Sequence, residues 1–264
     1  MVATGNDFVV VEKKSQKLNF KKLALKLCDR KFGLGADGLL ILDKSKSVDI
    51  RMRIFNADGS EAKMCGNGAR CVALYTSRRI AKNKSRISIE TQAGVIVSEV
   101  AGDNVKIKLT EPKNLKLDLP VKVGARTLRV NFINTGVPHA VIFTEGLDKI
   151  SVFNLGRQIR HHRAFVPAGT NVDFVEALSN RSINLRTYER GVEDETLACG
   201  TGAVASALVF SLKTKKIISG RYAVDVKTRS GQMLKVYFEK INDKFTNTWL
   251  QGQAKIVAEG VYYV

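Results

Sequence analysis

The chain has 264 residues, of which 44% are hydrophobic, and a formal net charge of +18 at pH 7. This length fits one large domain or two of ordinary size, and the apolar share is enough for a globular core. No apolar run approaches the length of a membrane span. Four cysteines are too few for a disulfide framework in a chain this long. The N-terminus lacks a secretory pattern, so we expect a cytoplasmic protein without a membrane partner.

The predicted elements alternate between helices and strands. Amphipathic runs predict helices over 20–30 and 152–162, and apolar runs predict buried helices over 69–75 and 203–210. Alternating apolar and polar residues predict strands over 86–90, 105–109 and 234–238, and the second follows the turn signal Gly102-Asp103-Asn104. Such short connections favour antiparallel pairing.

The two halves of the chain repeat each other. The blocks that begin at Gly5, Gly35, Ile50 and Cys65 are matched, at a nearly constant offset, by blocks that begin at Gly136, Gly169, Ile183 and Cys199. The third pair aligns Ile54 with Thr187, and the second, 35–40 with 169–174, aligns Leu39 with Asp173. Repeats of this kind indicate duplicated structural units.

The sequence therefore predicts an α+β (mixed α/β) fold of two pseudo-symmetric domains. Each domain is expected to be a mostly antiparallel sheet wrapped around a central helix. The N-terminal half covers 1–117 and is joined by the last strand, 253–264, and the C-terminal half covers 118–252. We expect the two helix starts to face each other across a cleft between the halves.

The strongest chemical signal is a cysteine before each apolar helix. Cys65 and Cys199 each precede a Gly-x-Gly-Ala step. A thiol at a helix N-terminus lies beside backbone N–H groups and the positive end of the dipole, which stabilise its thiolate. Two matched thiols suit stereoinversion, because one removes an α-proton and the other supplies a proton to the opposite face.

Neighbouring groups complete this hypothesis. The backbone N–H groups of Gly66, Asn67, Gly200 and Thr201 are candidates for binding the substrate carboxylate and stabilising developing charge. His139 and Glu189 are candidates for orienting or assisting a cysteine. Cys28 and Cys71 are predicted core residues, and His161 and His162 are expected on the solvated side of a helix end. The cysteine and histidine spacings match no usual zinc pattern.

Five segments resemble the diaminopimelate epimerase family through essentially the whole chain. They are Gly5-Asn6-Asp7-Phe8, the run 55–60, the run 64–71, Glu189-Arg190-Gly191 and the run 195–202. The resemblance implies a cofactor-independent isomerase that interconverts LL- and meso-2,6-diaminoheptanedioate for lysine and peptidoglycan precursor synthesis. It also implies two domains that close on this small-molecule amino-acid substrate, and a homodimer.

Carried over by position, the resemblance makes Cys65 and Cys199 the acid–base pair. His139 and Glu189 match assisting residues, and Gly66, Asn67, Gly200 and Thr201 match the carboxylate-binding helix starts. Asn6, Asn56, Asn171, Glu189 and Arg190 match substrate contacts. A guanidinium pairs well with a carboxylate, which gives Arg190 a task at the second amino-acid end of the substrate.

Val137 departs from the family, which often has Asn before the Pro-His pair. The change removes one polar contact to the substrate, so selectivity for diaminopimelate is left open. One alternative is a broader amino-acid racemase, acting for example on glutamate, with the same two cysteines. Another is a nucleic-acid binder that uses the basic surface. The basic residues are scattered, which favours a solvated face and no nucleic-acid partner.

Overall fold

The computed structural model describes residues 1–13, 18–214 and 217–263, and the chain forms two compact units. Unit 1 comprises Met1–Lys108 and Gln251–Val264, and unit 2 comprises Leu109–Leu250. Within the described ranges, no helix is long and apolar enough to cross a membrane. The boundary predicted at 117/118 falls inside a strand, Lys113–Val123.

Unit 1 combines short strands with two helices. Its elements are β1 (Val2–Ala3), β2 (Asn6–Glu12), α1 (Phe20–Cys28), β3 (Gly38–Asp43), β4 (Ile50–Asn56), β5 (Glu61–Ala62), α2 (Gly66–Tyr75), a π-helical turn (Thr76–Ile80), β6 (Arg86–Thr91), β7 (Gly94–Ala101) and β8 (Asn104–Lys108). β3 pairs antiparallel with β4 and parallel with β2, and β6 to β8 form an antiparallel meander.

Unit 2 repeats this plan. Its elements are β9 (Lys113–Val123), β10 (Arg126–Asn134), β11 (Pro138–Phe143), a 3-10 turn (Leu147–Lys149), α3 (Val152–Arg160), a second 3-10 turn (Arg163–Phe165), β12 (Asn171–Ser179), β13 (Ser182–Glu189), β14 (Asp194–Thr196), α4 (Gly200–Thr214), β15 (Gly220–Lys227), β16 (Met233–Ile241) and β17 (Lys244–Gln253). β12 again pairs parallel with one neighbour, β11, and antiparallel with the other, β13.

The sheets are packed on both faces. In β3, Leu39 and Ile41 join the core around α1, where Leu23 and Leu27 are buried. In β12, Val172 and Phe174 join the corresponding core around α3. Fully burying a side chain of this size contributes roughly 1.5–3 kcal/mol. The alternate residues of β3 and β12 therefore point to α2 and α4.

The central helices confirm the predicted fold. In α4, every residue from Gly202 to Ser211 is buried, and in α2 burial runs from Asn67 to Leu74. A helix buried on all sides needs the continuous apolar composition that the sequence shows in 203–210. The predicted helices and strands are all present, with ends shifted by a few residues. β17 ends at Gln253, and beyond it Lys255 forms an isolated bridge with Val2.

The strand registers correct the alignment of the repeat by one residue. Phe8 pairs with Gly38 in unit 1, and His139 pairs with Asn171 in unit 2. Because the repeat matches Phe8 to His139, Gly38 corresponds to Asn171, and Leu40, not Leu39, corresponds to Asp173. A shift of one residue matters in a strand, since it moves a side chain to the opposite face.

Candidate active site

Both motif cysteines lie immediately before a buried helix. The thiol of Cys65 caps α2 and accepts a hydrogen bond from the backbone N–H of Gly68 at 3.5 Å. The thiol of Cys199 stands in the same relation to α4, where the N–H of Gly202 interacts with it. The carbonyls of the two cysteines accept the N–H groups of Ala69 and Ala203 at 2.8 and 2.9 Å. The predicted placement at two helix starts is confirmed.

A chain of polar side chains surrounds the start of α2. The amide of Asn67 donates to Asn6 and accepts from the guanidinium of Arg70. Arg70 also donates to Thr4 at 2.7 Å. Asn6 in turn donates to Asp37 at 2.8 Å. Two of the residues predicted to contact substrate, Asn6 and Asn67, therefore hold each other in place.

Arg70 is fully buried, which the sequence did not predict. Its guanidinium donates hydrogen bonds to the neutral partners Thr4 and Asn67, and burial lowers the pKa of this guanidinium to about 10. Ionised Cys71 and Cys65 would act in the opposite direction and raise that pKa. A cation beside a thiol favours the thiolate. The buried positive charge of Arg70 therefore acts on Cys65 in the direction that favours its thiolate.

The remaining site residues of unit 1 are more exposed. Asn56 ends β4 on the surface and donates to the hydroxyl of Ser60 at 2.9 Å. Gly66, the first residue of α2, is half-buried. The structure therefore places Asn56 in a separate local network from that of Asn6 and Asn67.

The start of α4 has a different environment, built from a buried row of hydrogen bonds. Sγ of Cys199 lies 3.5 Å from Oγ1 of Thr201, and this hydroxyl lies 3.0 Å from Nε2 of His139. Nδ1 of His139 lies 2.6 Å from Oδ2 of Asp173, and both side chains are fully buried. Thr187 donates its hydroxyl to Oδ1 of Asp173 at 2.7 Å.

Burial and negative charge both act on Cys199. Burial raises the pKa of its thiol well above the ordinary value, and the carboxylates of Glu189 and Asp173 raise it further. The Thr201 hydroxyl and the Gly202 N–H lower that pKa by smaller amounts. The Gly202 N–H acts on the thiolate in the expected direction, but desolvation outweighs it, so the net effect is a raised pKa for Cys199.

The pKa of the Glu189 carboxyl is also shifted. Burial raises the pKa of its carboxyl, and the negative charge of Asp173 adds to this, whereas His139 acts in the opposite direction. A carboxyl with a raised pKa releases and accepts protons closer to neutral pH, which suits general acid–base catalysis. Glu189 belongs to the electrostatic surroundings of Cys199.

Asn171 and Arg190 are joined through the backbone. The side chain of Asn171 donates to the carbonyl of Pro138 at 3.0 Å and accepts the N–H of Arg190 at 2.8 Å. The guanidinium of Arg190 donates to the carbonyl of Ala168 at 3.0 Å. Asn171 thereby links the strand that carries His139 to the turn that carries Arg190.

Asp173 and Thr187 are the residues of this site that sequence analysis missed. In the corrected alignment, they correspond to Leu40 and Ile54 of unit 1. A Cβ added to Gly68 would meet Leu40 at 3.0 Å and Ile54 at 3.5 Å, and one added to Gly202 would meet the Asp173 carboxylate at 2.5 Å. The signal was present in the sequence, as an acidic residue at an inward-facing position of an apolar strand.

The other cysteines and histidines have the expected positions. Cys28 and Cys71 are buried, and burial raises the pKa of their thiols to about 11 and about 12. His161 follows the last residue of α3, and 60% of its side chain is exposed. His162 caps the 3-10 turn that follows.

A family model described as diaminopimelate epimerase matches residues 1–115 and 131–257, which include both cysteine motifs. The chain belongs to the diaminopimelate epimerase family. It is 40% identical to the diaminopimelate epimerase of Caldanaerobacter subterraneus subsp. tengcongensis over 277 aligned positions, covering 98% of this chain and 97% of that protein. It is 43% identical to that of Aquifex aeolicus, covering 97% and 94% of the two chains.

Solved structures of other proteins share the fold. A phenazine biosynthesis protein of the PhzF family from Bacillus anthracis superposes with a TM-score of 0.73 at 18% identity, covering 95% of this chain and 91% of that one. A probable proline racemase from Agrobacterium radiobacter superposes with a TM-score of 0.68 at 15% identity, covering 98% and 92%. At these identities, the likeness establishes the architecture that the family shares with them.

Proposed function

We propose that this chain interconverts LL- and meso-2,6-diaminoheptanedioate, with Cys65 and Cys199 as the two acid–base groups and without a cofactor. The observation that carries the proposal is the pair of thiols at corresponding positions, each at the start of a buried helix. Family membership supports the choice of substrate. One thiolate takes the α-proton, and the other thiol delivers a proton to the opposite face, so that the configuration at this carbon inverts.

The α-proton of an amino acid is a weak acid, so the carbanion needs stabilisation. We assign this role to the backbone N–H groups of Gly66, Asn67, Gly200 and Thr201, which lie at the positive ends of α2 and α4. These groups bind the carboxylate next to the reacting carbon, where charge accumulates. His139 and Glu189 assist Cys199 in exchanging its proton.

The second amino-acid end of the substrate requires polar partners of its own. We assign it to Arg190, Asn6, Asn56 and Asn171. A guanidinium forms paired, charge-assisted hydrogen bonds with a carboxylate, and amide side chains serve both ammonium and carboxylate groups. A substrate without this end would lose several such bonds.

Isotope exchange tests the proposal. The enzyme is incubated in heavy water with LL- or meso-diaminopimelate, and deuterium at the α-carbon and the isomer ratio are measured. The wild type should incorporate deuterium and interconvert the isomers, whereas Cys65→Ala and Cys199→Ala should each lose about 10²–10⁴-fold in rate. Cys28→Ala, in the core, is the matched control. Full interconversion by either Cys65→Ala or Cys199→Ala would refute the two-thiol mechanism.

A second candidate rests on Val137, an apolar residue next to Pro138 and His139. We infer that, if this position no longer contacts the second end of the substrate, the same thiols act on smaller amino acids such as glutamate. The exchange assay separates the two functions when it is repeated with glutamate and proline. Exchange on glutamate at a rate comparable to diaminopimelate would favour the broader racemase.

We further propose that the enzyme works in the cytoplasm as a homodimer, in lysine and peptidoglycan precursor synthesis, with no nucleic-acid or membrane partner. Many basic side chains lie in exposed pairs with acids, such as Arg53 with Glu61 and Arg221 with Glu239, which supports a solvated surface. Binding to RNA or DNA that weakens steeply with salt would contradict this view.

A further inference from the structure

We propose that Asp173 is a positioning residue for His139, and that the hydroxyl of Thr201 carries the proton between Cys199 and His139. This inference rests on the proposed function and concerns one of its two thiols. The row of atoms is continuous: thiol, hydroxyl, imidazole and carboxylate follow each other at 3.5, 3.0 and 2.6 Å.

Asp173 is held as an acceptor from several sides. Thr187 donates its hydroxyl to one carboxylate oxygen, and the ring of His139 lies against the other. The carboxylate also lies beneath Gly202 in the first turn of α4, where a helix favours negative charge. An ionised Asp173 accepts hydrogen bonds only, so it requires the proton of the neutral imidazole to reside on Nδ1.

The tautomer determines the direction of the other hydrogen bonds. With its proton on Nδ1, His139 presents a lone pair at Nε2, so Thr201 donates its hydroxyl to Nε2. The oxygen of Thr201 then accepts the thiol proton of Cys199. This is the arrangement in which a buried acid fixes the tautomer of a histidine base and stabilises its cation when that cation forms.

The proton transfer along this row is balanced. The S–H bond of Cys199 breaks as an O–H bond forms at Thr201, and the original O–H bond of Thr201 breaks as an N–H bond forms at Nε2. The result is a thiolate and an imidazolium beside an ionised Asp173. The reverse sequence restores the thiol, so the same row serves when Cys199 is the acid.

The charges around Cys199 favour this route over loss of the proton to solvent. Glu189 and Asp173 both oppose ionisation of the thiol when its proton leaves for solvent. When the proton stays on His139, the new imidazolium lies between Asp173 and the thiolate and offsets this repulsion. Asp173 therefore has opposite effects on the two routes, which allows an experiment to distinguish them.

Unit 1 lacks the imidazole and the carboxylate of this row, and also the hydroxyl that donates to the carboxylate. Phe8, Leu40 and Ile54 occupy the positions of His139, Asp173 and Thr187, and all three are buried. The backbone arrangement around the helix start does not need a buried carboxylate and imidazole, since α2 packs on the apolar side chains of Leu40 and Ile54. The pair in unit 2 therefore serves Cys199 rather than the fold of the unit.

Nuclear magnetic resonance tests the proposal without substrate. The full chain has three histidines and four cysteines, so ¹⁵N-labelled imidazoles and ¹³Cβ-labelled cysteines give few signals. Cys199 and His139 are assigned from the variants Cys199→Ser and His139→Gln. In the wild type, neutral His139 should carry its proton on Nδ1, and the Cys199 thiolate should appear with rising pH while His139 is still the cation.

Asp173→Asn and Thr201→Val should each raise the pH at which the Cys199 thiolate appears by about one to two units, the size of a lost charge-assisted hydrogen bond. Thr201→Ser retains the hydroxyl and should return to the wild-type value. Ser211→Ala removes another buried hydroxyl from the same helix and should leave the titration unchanged. If Asp173 acted only as a negative charge, Asp173→Asn would lower that pH, and this result would overturn the proposal.

Kinetics provide the second measurement. Asp173 is buried beneath the helix and does not reach substrate, so Asp173→Asn should lower kcat about 10–10²-fold and leave KM unchanged. Should this variant fail to fold, Thr201→Val at the half-buried helix start still decides the question. A wild type without epimerase activity but with the expected titration would refute the proposed function and retain the relay. Normal activity with an unchanged titration in both variants would refute the relay alone.

Discussion

The starts of α2 and α4 share a backbone frame but differ in the residues beneath them. Under α2 lie Leu40 and Ile54, and the nearest buried charge is the guanidinium of Arg70. Under α4 lie Asp173 and its partner His139, and the residue that corresponds to Arg70 is the apolar Val204. Duplication has preserved the position of the thiol and reversed the sign of the charge near it.

This difference teaches that two matched thiols need not be equivalent. A cation beside Cys65 favours the thiolate, whereas carboxylates near Cys199 favour the thiol. A two-base epimerase requires one thiolate and one thiol at the moment when substrate arrives. In the proposed mechanism, the opposite charges favour the thiolate at Cys65 and the thiol at Cys199, and the proposed row through Thr201 exchanges the proton of Cys199.

Placing the carboxylate of unit 2 at the corresponding position beneath α2 should have the largest effect on stability. Leu40→Asp places a carboxylate under α2, where Phe8 stands instead of a histidine, so the charge has no partner from that strand. We expect a loss of about 3–5 kcal/mol in the free energy of unfolding at pH 7, measured by urea denaturation. Leu40→Asn, similar in size but uncharged, is the control. Equal losses in the two variants at pH 7 would mean that the charge contributes nothing.

A methyl group at the two matched glycines should have unequal effects. The Cβ of Gly202→Ala would meet the Asp173 carboxylate at 2.5 Å, so the pair with His139 must shift, and we expect a loss of about 1–3 kcal/mol. The Cβ of Gly68→Ala would meet the end of Leu40 at 3.0 Å, a flexible side chain that can move aside. Alanine also favours a helix, so this variant should stay within about 1 kcal/mol of the wild type. Denaturation curves that rank the variants the other way would contradict the comparison.

The pH dependence of the free energy of unfolding should reveal the contribution of the Glu189 carboxyl. Its pKa is raised by burial, so the fold favours the protonated form. Its stabilising contribution is present below the ordinary glutamate pKa of 4.5 and is lost as pH rises through the raised pKa. Glu189→Gln should therefore gain stability over the wild type between pH 4 and pH 8 while losing activity. Urea titrations across this range, with Glu239→Gln as a surface control, measure the gain, and a constant difference would disprove it.

The smallest effect is expected at Val137. Val137→Asn restores an amide next to Pro138 and His139, and one added hydrogen bond changes affinity by roughly 0.5–1.5 kcal/mol. Diaminopimelate should bind as well as to the wild type or up to about tenfold tighter. Calorimetric titration measures the affinity, and Val137→Ala controls for lost volume. Weaker binding by the Asn variant alone would show that this position has been rebuilt.

The sequence predicted the parts of the site that depend on local signals. Each cysteine precedes a Gly-x-Gly-Ala step and an apolar run, and these features define a helix start whatever surrounds it. His139 and Glu189 emerged as candidates because the first lies at a strand start, the second lies at a strand end, and both fall within the repeat. The central helix α4 was predictable because no residue in 203–210 carries a charge.

The sequence did not predict which side chains lie beneath the helix starts. Asp173 faces α4 only in the strand register that the structure shows, and an error of one residue turned it to the other face. Arg70 is charged, and a charged residue in a helix is ordinarily exposed. Its burial results from strands that come from elsewhere in the chain, which no local pattern contains.

The return of the C-terminal segment to unit 1 affects how the chain can be synthesised. Lys255 and Val2 exchange backbone hydrogen bonds at 2.9 Å, and the N–H of Ala254 donates to the carbonyl of Asp103 at 3.0 Å. Unit 2 is a continuous stretch, whereas unit 1 includes residues that are translated after the whole of unit 2. Translation of unit 1 begins first, but its last segment follows unit 2. Unit 1 is therefore completed last, which differs from the N-terminal-first order usual for domains.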